Sequence, residues 1–401
     1  YKHYKMFYDY YGDFDYADKW VSAALAGTSM TFSSGRHGPN DFSTLGNAAR
    51  VEAVKKGSAY MNVWMYAIRE FEDAIDDCLT CTSNCNEHSN DPSVHAWDEG
   101  VAFYTGSLEG TLGSSSGKLV YRLAEKRCAN FGTCGTSGDA FTGTSYVNHE
   151  LLTLFTEGEQ RLQRGECSAV RPLVNRIVSL MTVPLVQGSI RYAYNIGEGG
   201  GRSQKNAAEG ATFSAAVLPL VAGCNPTAAQ TISDNQKFGL YDAGNYGSFD
   251  AVKAAFESTY SCLGITCAQV GALKDSSTGA LMSTKTAACS DVSVYRAPIA
   301  GYIPGSDVIQ HNRIDLDQAA METELGAANF SGATHWYAVG GNSLKSSGFR
   351  TIRGFSSVAS RRALSRRCTT AAPAARTSTT RCSMTTTATS TMRTSGCRRR
   401  L

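Results

Sequence analysis

Ten cysteines between positions 78 and 289 constrain this chain more than any other feature of its sequence. Cys78, Cys81, Cys85, Cys128, Cys134, Cys167, Cys224, Cys262, Cys267 and Cys289 lie largely in polar, loop-like pieces such as CLTCTSNC and CANFGTC. An even set in such pieces reads as a disulfide framework, and so as a protein of an oxidising compartment. Zinc competes for Cys78 and Cys81, which stand at ligand-like spacing, but no second Cys-x-x-Cys and no matching His pair follows them. Spacing alone leaves the pairing open.

Cys368, Cys382 and Cys397 belong to a closing stretch of another kind: from Ser360 to Leu401 there are ten Arg and no Asp, Glu or Lys. Read one base across, codons able to encode residues 376–401 spell the opening of the chain, residues 1–25, again. Residues 361–401 are therefore expected to be a disordered basic tail, an out-of-frame reading of the next tandem copy, with the frame breaking between 355 and 376. The chain also opens at Tyr1 without Met or a charged-then-apolar leader, as a processed or internal piece would. Without the tail, 28 basic residues face 35 acidic ones. That acidic balance argues against a nucleic-acid partner. No apolar run approaches the roughly 18 residues of a membrane span. With 401 residues, 42% of them hydrophobic, the chain can bury a sizeable core.

That core is expected to be mainly α, a disulfide-stapled helical domain over 1–360 with long loops and minor β structure. Residues 47–78 and 171–197 are long apolar-periodic stretches, the second carrying Pro184 as an expected kink. Each is followed by a related segment, Asp98-Glu99-Gly100-Val101-Ala102-Phe103 after the first and Ala208-Glu209-Gly210-Ala211-Thr212-Phe213 after the second. The repeat reads as an internal duplication of a helical hairpin, in halves of roughly 1–145 and 146–360. Asp15, Asp250 and Asp315 suit helix N-caps, with metal ligation as the weaker reading. Asn329-Phe330-Ser331 is a glycosylation sequon, which has meaning in a secreted protein.

Several segments carry a family resemblance: WDEGVAFYTGSLEG at 97–110, LVYRLAEKRCANFGTC at 119–134 and IREFEDAIDDC at 68–78. DVIQHNRIDLDQAAM at 307–321 and YAVGGNSLKSSGFRTIRGFS at 337–356 extend it. Together they resemble the low-iron-inducible periplasmic proteins of algae, the iron-assimilating relatives of the phytotransferrins, over essentially residues 1–360. The resemblance implies a secreted or periplasmic protein serving high-affinity ferric iron acquisition, often as tandem copies, without catalysis. It further implies ferric iron as the bound species, with carbonate as a synergistic anion, and neighbouring copies or the cell surface or wall as partners. It carries over no ligand residue by residue.

Ferric iron prefers carboxylate and phenolate oxygen and tolerates imidazole. His95 and Glu99, four apart, share a helical face, and Asp98 adds a second carboxylate. Glu209 duplicates Glu99, so the two hairpins are candidates to present carboxylates to one another, with Tyr104 as a phenolate in the same segment. The competing reading makes Glu99 and Glu209 buried hydrogen-bonding groups beside close-packing Gly100 and Gly210. Tyr8-Asp9-Tyr10-Tyr11, Tyr192, Tyr194 and His149-Glu150 are weaker candidates. An extracellular structural or adhesive protein of tandem disulfide-stapled units, without metal, is the alternative function. A helical metalloenzyme would need His95, Asp98 and Glu99 around an open coordination position.

Overall fold

Apolar periodicity becomes helix almost throughout the computed structural model, which describes residues 1–83, 92–114, 116–290, 308–345 and 348–355. The chain divides into two compact units, 1–293 and 294–401, so the boundary drawn at 360 from sequence lies within the second. The first unit opens with α1 (Lys2–Tyr11) and α2 (Tyr16–Ala26), closed by Gly12 and Gly27 in left-handed backbone, φ 74° and 70°. Their amides satisfy carbonyls of the last turn, a conformation that favours glycine. A two-residue antiparallel ladder, β1 (Ser29–Met30) with β2 (Asn40–Asp41), leads on to α3 (Asn47–Lys56).

The long stretch expected at 47–78 is helical throughout, but it is not uniform. A π-helical segment, Gly57–Val63, joins α3 to α4 (Trp64–Thr80). Gly57 is needed there because a Cβ would come within 2.8 Å of the Trp20 ring. Next come α5 (Pro92–Thr105), α6 (Val120–Phe131), α7 (Tyr146–Gln163), α8 (Cys167–Gly197) and α9 (Gln204–Cys224). The unit continues with α10 (Pro226–Gln236), α11 (Phe249–Glu257), α12 (Tyr260–Leu263) and α13 (Cys267–Val270).

The core is built on α9, which packs against α1, α3, α8 and α10. Every residue from Ala208 to Val221 is buried, as expected of a helix apolar all round. By length and hydropathy α8 and α9 would suffice to cross a membrane, but their apolar windows are 61% and 78% buried inside the unit. The two hairpins recognised in the sequence are α4 on α5 and α8 on α9. In each, the glycine of the related segment lies against an aromatic of the preceding helix. A Cβ on Gly100 would come 2.9 Å from Phe71, and one on Gly210 would come 3.2 Å from Tyr192.

Disulfides tie this unit at four described places. Cys78–Cys167 joins the end of α4 to the start of α8, and Cys128–Cys134 folds the loop after α6 back on that helix. Cys224–Cys262 links α9 to α12, and Cys267–Cys289 pins α13. Cys81 is also disulfide-bonded, whereas Cys85 lies outside the described residues. Cys78 is thus committed to sulfur and is not a zinc ligand.

Of the three expected N-caps one holds its position, and the other two aspartates fall in the first turn of their helices. Asp15 occupies the N-cap of α2 without a capping bond and instead pairs with Lys19 at 3.4 Å. Ser248 caps α11, two residues earlier than expected, leaving Asp250 to pair with Lys285 at 2.9 Å. The second unit holds α14 (Ile309–Asn312), α15 (Ile314–Gly326), α16 (Phe330–Ala338) and the ladder of β3 (Leu344–Lys345) with β4 (Gly348–Phe349). Asp315 lies in the first turn of α15, whose N-cap is Arg313. Asn329 of the sequon is exposed and caps α16, its amide nitrogen donating to Glu324 at 2.7 Å. The basic tail, 361–401, lies outside the described residues.

Candidate functional site

Two runs of polar side chains at intervals of four, which stacks them along one helical face, meet across a cleft in the first unit. Glu52, Lys56 and Tyr60 come from α3 and the π-helical segment, and Lys118, Arg122 and Lys126 come from the approach to α6 and from α6 itself. The cleft measures about 510 Å3, and Lys55 and Glu209 also line it. Extra residues in a π-turn commonly mark functional positions, and here the π-turn brings Ser58, Ala59, Tyr60 and Val63 to the cleft wall. The loop bearing Lys118 is held by buried Glu109 of the GSLEG motif, which accepts from Ser114 N at 2.9 Å. Glu109 also lies so close to Gly117 that a Cβ there would be 2.0 Å from its Oε1.

In the wall of the cleft two carboxyl groups, Glu52 and Glu209, are hydrogen-bonded to each other. Burial, reinforced by the neighbouring Glu52, raises Glu209 above the usual carboxyl range against the opposing pull of the Tyr192 phenol and Lys56. Burial also pushes on Glu52, but the hydrogen bond from Glu209 and the ammonium groups of Lys56 and Lys55 outweigh it and hold Glu52 below its ordinary value. Lys56 Nζ lies 3.3 Å from Glu52 and 3.5 Å from Glu209, and Lys55 Nζ lies 3.6 Å from Glu52. Tyr192 of α8 donates its phenol to Glu209 and is held well above its ordinary pKa, chiefly by burial. Burial pushes the Tyr60 phenol up to about 12, with Arg127 opposing and both carboxylates assisting. Both tyrosine rings stack on Phe213, at 5.3 Å and 5.7 Å between centroids.

Cations outnumber these acids. Arg127, only 7% exposed, holds its guanidinium 5.9 Å from the Tyr192 ring and 5.8 Å from that of Phe213. Its Nη1 donates to Asn130, but Nε has no hydrogen-bond partner among the described residues, and neither has the buried Nε of Arg122. Burial, then the charges of Arg122, Lys56, Arg127 and Lys118, lower the pKa of Lys126. Two carboxyls and two phenols form a hard oxygen donor set suited to ferric iron, while the surrounding cations suit an anion.

The residues singled out from sequence are not gathered in one place. His95 Nε2 lies 3.3 Å from Glu99 Oε1, but their side chains are 79% and 43% exposed on α5. Val94, Trp97, Gly100 and Tyr104 take the buried face of that helix and turn His95, Asp98 and Glu99 outward. Tyr104 is fully buried and donates to Asn148. Among the described residues no three His, Cys, Asp or Glu side chains form a metal-binding group, so Glu209 does not join the α5 set. It meets Glu52 instead. Of the weaker candidates, Tyr192 sits behind the cleft wall as the hydrogen-bond donor to Glu209, Tyr11 donates to Ala215 O, Tyr194 donates to Met282 O and Glu150 pairs with Arg176 at 3.3 Å.

Fold and cleft together define a disulfide-stapled helical protein of an oxidising compartment, with a basic pocket around buried carboxyl and phenol oxygens. A family model described as low iron-inducible periplasmic protein matches residues 46–294. The chain belongs to that family, and its setting is periplasmic or extracellular. The match covers most of the first unit and includes the whole cleft. No curated protein and no solved structure matches the chain.

Proposed function

We propose that this chain is a ferric-iron-binding protein of high-affinity iron acquisition, a carrier and not an enzyme. Its cargo binds at Glu52 and Glu209, with Tyr192 and Tyr60 as phenolate donors. The observation that carries this reading is the buried Glu52–Glu209 pair, hydrogen-bonded to Tyr192 and open to a cleft. A carboxyl whose hold on a proton is strengthened by burial and by its neighbour exchanges that proton for a trivalent cation when one arrives. Lys56, which balances the pair in the iron-free protein, then faces a site whose oxygens have turned toward the metal. An anion in the basic cleft, carbonate being the smallest fitting choice, balances the remaining positive charge. The His95–Glu99 pair is too exposed to exclude water from a bound ferric ion.

Ferric iron added from a weak chelate to the purified protein is expected to produce the visible charge-transfer absorption of a ferric phenolate. That band should be lost in Glu209→Gln and in Tyr192→Phe and retained in His95→Ala. A band abolished by His95→Ala and retained in Glu209→Gln would move the site to α5. No band and no bound iron in the wild-type protein would leave the metal-free structural role.

A further inference from the structure

The cleft that holds the oxygen donors presents the wrong field for a bare metal cation. Lys55, Lys56, Lys118, Arg122 and Lys126 line it against two carboxyl groups, Glu52 and Glu209. A hydrated ferric ion is repelled by such a surface, whereas a multivalent anion is drawn in. Two further observations point to an anion as part of the design. The Nε groups of Arg122 and of 7%-exposed Arg127 are buried without hydrogen-bond partners. Buried polar groups are normally satisfied, and of these two residues Arg122 lines the cleft, so its guanidinium is the one that lacks an acceptor there. Arg122 and Lys126 stand four apart on one face of α6, and Lys118 joins them at the cleft wall, which brings like charges together at a cost that a bound anion offsets.

Size separates the candidate anions. A cavity of about 510 Å3 is many times the ~30 Å3 that one water occupies, and carbonate alone would leave most of it to solvent. Planar guanidinium groups and spread ammonium groups match several carboxylates on one molecule better than a single one. We infer that the cleft recognises a small polycarboxylate of citrate size, and that iron enters it as the anionic ferric chelate of such an acid. The Lys118–Arg122–Lys126 stripe takes the ligand's outer carboxylates, and the Glu52–Glu209 end faces the metal. The second half of this statement rests on the iron reading above, and the first half does not.

Calorimetric titration of the iron-free, full-length protein with citrate at low salt tests the two halves separately. Citrate is expected to bind on its own and to weaken steeply as salt is raised. It should weaken roughly tenfold or more in Arg122→Gln/Lys126→Gln, since two charge-assisted contacts to its carboxylates are removed. Lys118→Gln, which lies outside the helix, serves as a second variant that leaves α6 intact and should show the same direction. No citrate binding, binding that ignores both variants, or displacement of citrate by equimolar bicarbonate would overturn the inference. Citrate binding without a ferric phenolate band upholds the anion site and removes the iron site. The band without citrate binding does the reverse.

Discussion

Glu72 on α4 is wholly buried, yet it carries the connection between α1 and the rest of the first unit. It accepts the backbone amides of His3 at 3.0 Å and Tyr4 at 3.1 Å, approaches the His3 ring at 3.3 Å and pairs with Arg171 at 3.0 Å. Burial alone would raise its pKa, but these partners outweigh it and bring the carboxyl from 4.5 down to about 2. At about 1.36 kcal/mol per pH unit, that difference contributes roughly 3 kcal/mol to folding. Because the folded value is the lower one, the contribution is complete above pH 4.5 and is lost as pH falls toward 2. Glu72→Gln keeps the shape and one acceptor but removes the charge. Urea unfolding, followed by far-UV circular dichroism with disulfides intact, should show a loss of about 3 kcal/mol at neutral pH that shrinks between pH 4.5 and 2. A variant within about 0.5 kcal/mol of wild type at neutral pH, or a difference that does not shrink in acid, would refute the reasoning.

His37 is buried, accepting from Ser233 Oγ at 2.9 Å and donating from Nε2 to Ala211 O at 2.9 Å, and burial lowers its pKa from 6.5 to about 4. Its contribution is therefore complete above pH 6.5 and lost as pH falls toward 4; NMR should show its ring neutral until near pH 4, and titration at 6.5 would contradict the packing. Cys78–Cys167 closes 89 residues and Cys128–Cys134 closes 6, so loop entropy predicts losses of about 4.5 and about 2 kcal/mol on paired Ser replacement. Equal melting temperatures for the two double variants would contradict that ordering. Gly158→Ala should lower stability by about 1–3 kcal/mol, because its Cβ would fall 1.9 Å from the Trp97 ring, and an unchanged melting temperature would show that the ring moves freely.

Much of this molecule is legible in its sequence, and the failures have physical causes. Apolar period located α8 and α9, and even cysteine count in polar loops located the staples. Pairing depends on which ends the fold brings together, which spacing does not encode: Cys78 bonds Cys167 and not a neighbour in its own loop. His95 and Glu99 do meet at the expected interval, but interval says nothing of exposure, and the rest of α5 turns them to solvent. The duplicated motif draws attention to Glu209, but sequence alone pairs it with Glu99, whereas in the fold it meets Glu52. Its partner Glu52 begins a stripe, Glu52-Lys56-Tyr60, hidden in a stretch that otherwise reads as core. The π-turn that helps to place Tyr60 at the cleft leaves no mark in residue type beyond Gly57. The facing cations Arg122 and Lys126 lie in the 119–134 segment that carries the family resemblance, with Lys118 just before it, and the spacing of four is the signal that finds them.

Anomalous diffraction at the iron edge from crystals of the ferric-loaded protein tests the central claim most directly. A dominant peak within bonding distance of Glu52 and Glu209, at the wall of the basic cleft, is the predicted result. A dominant peak between His95 and Glu99, or loaded crystals with no peak in the cleft, would contradict it.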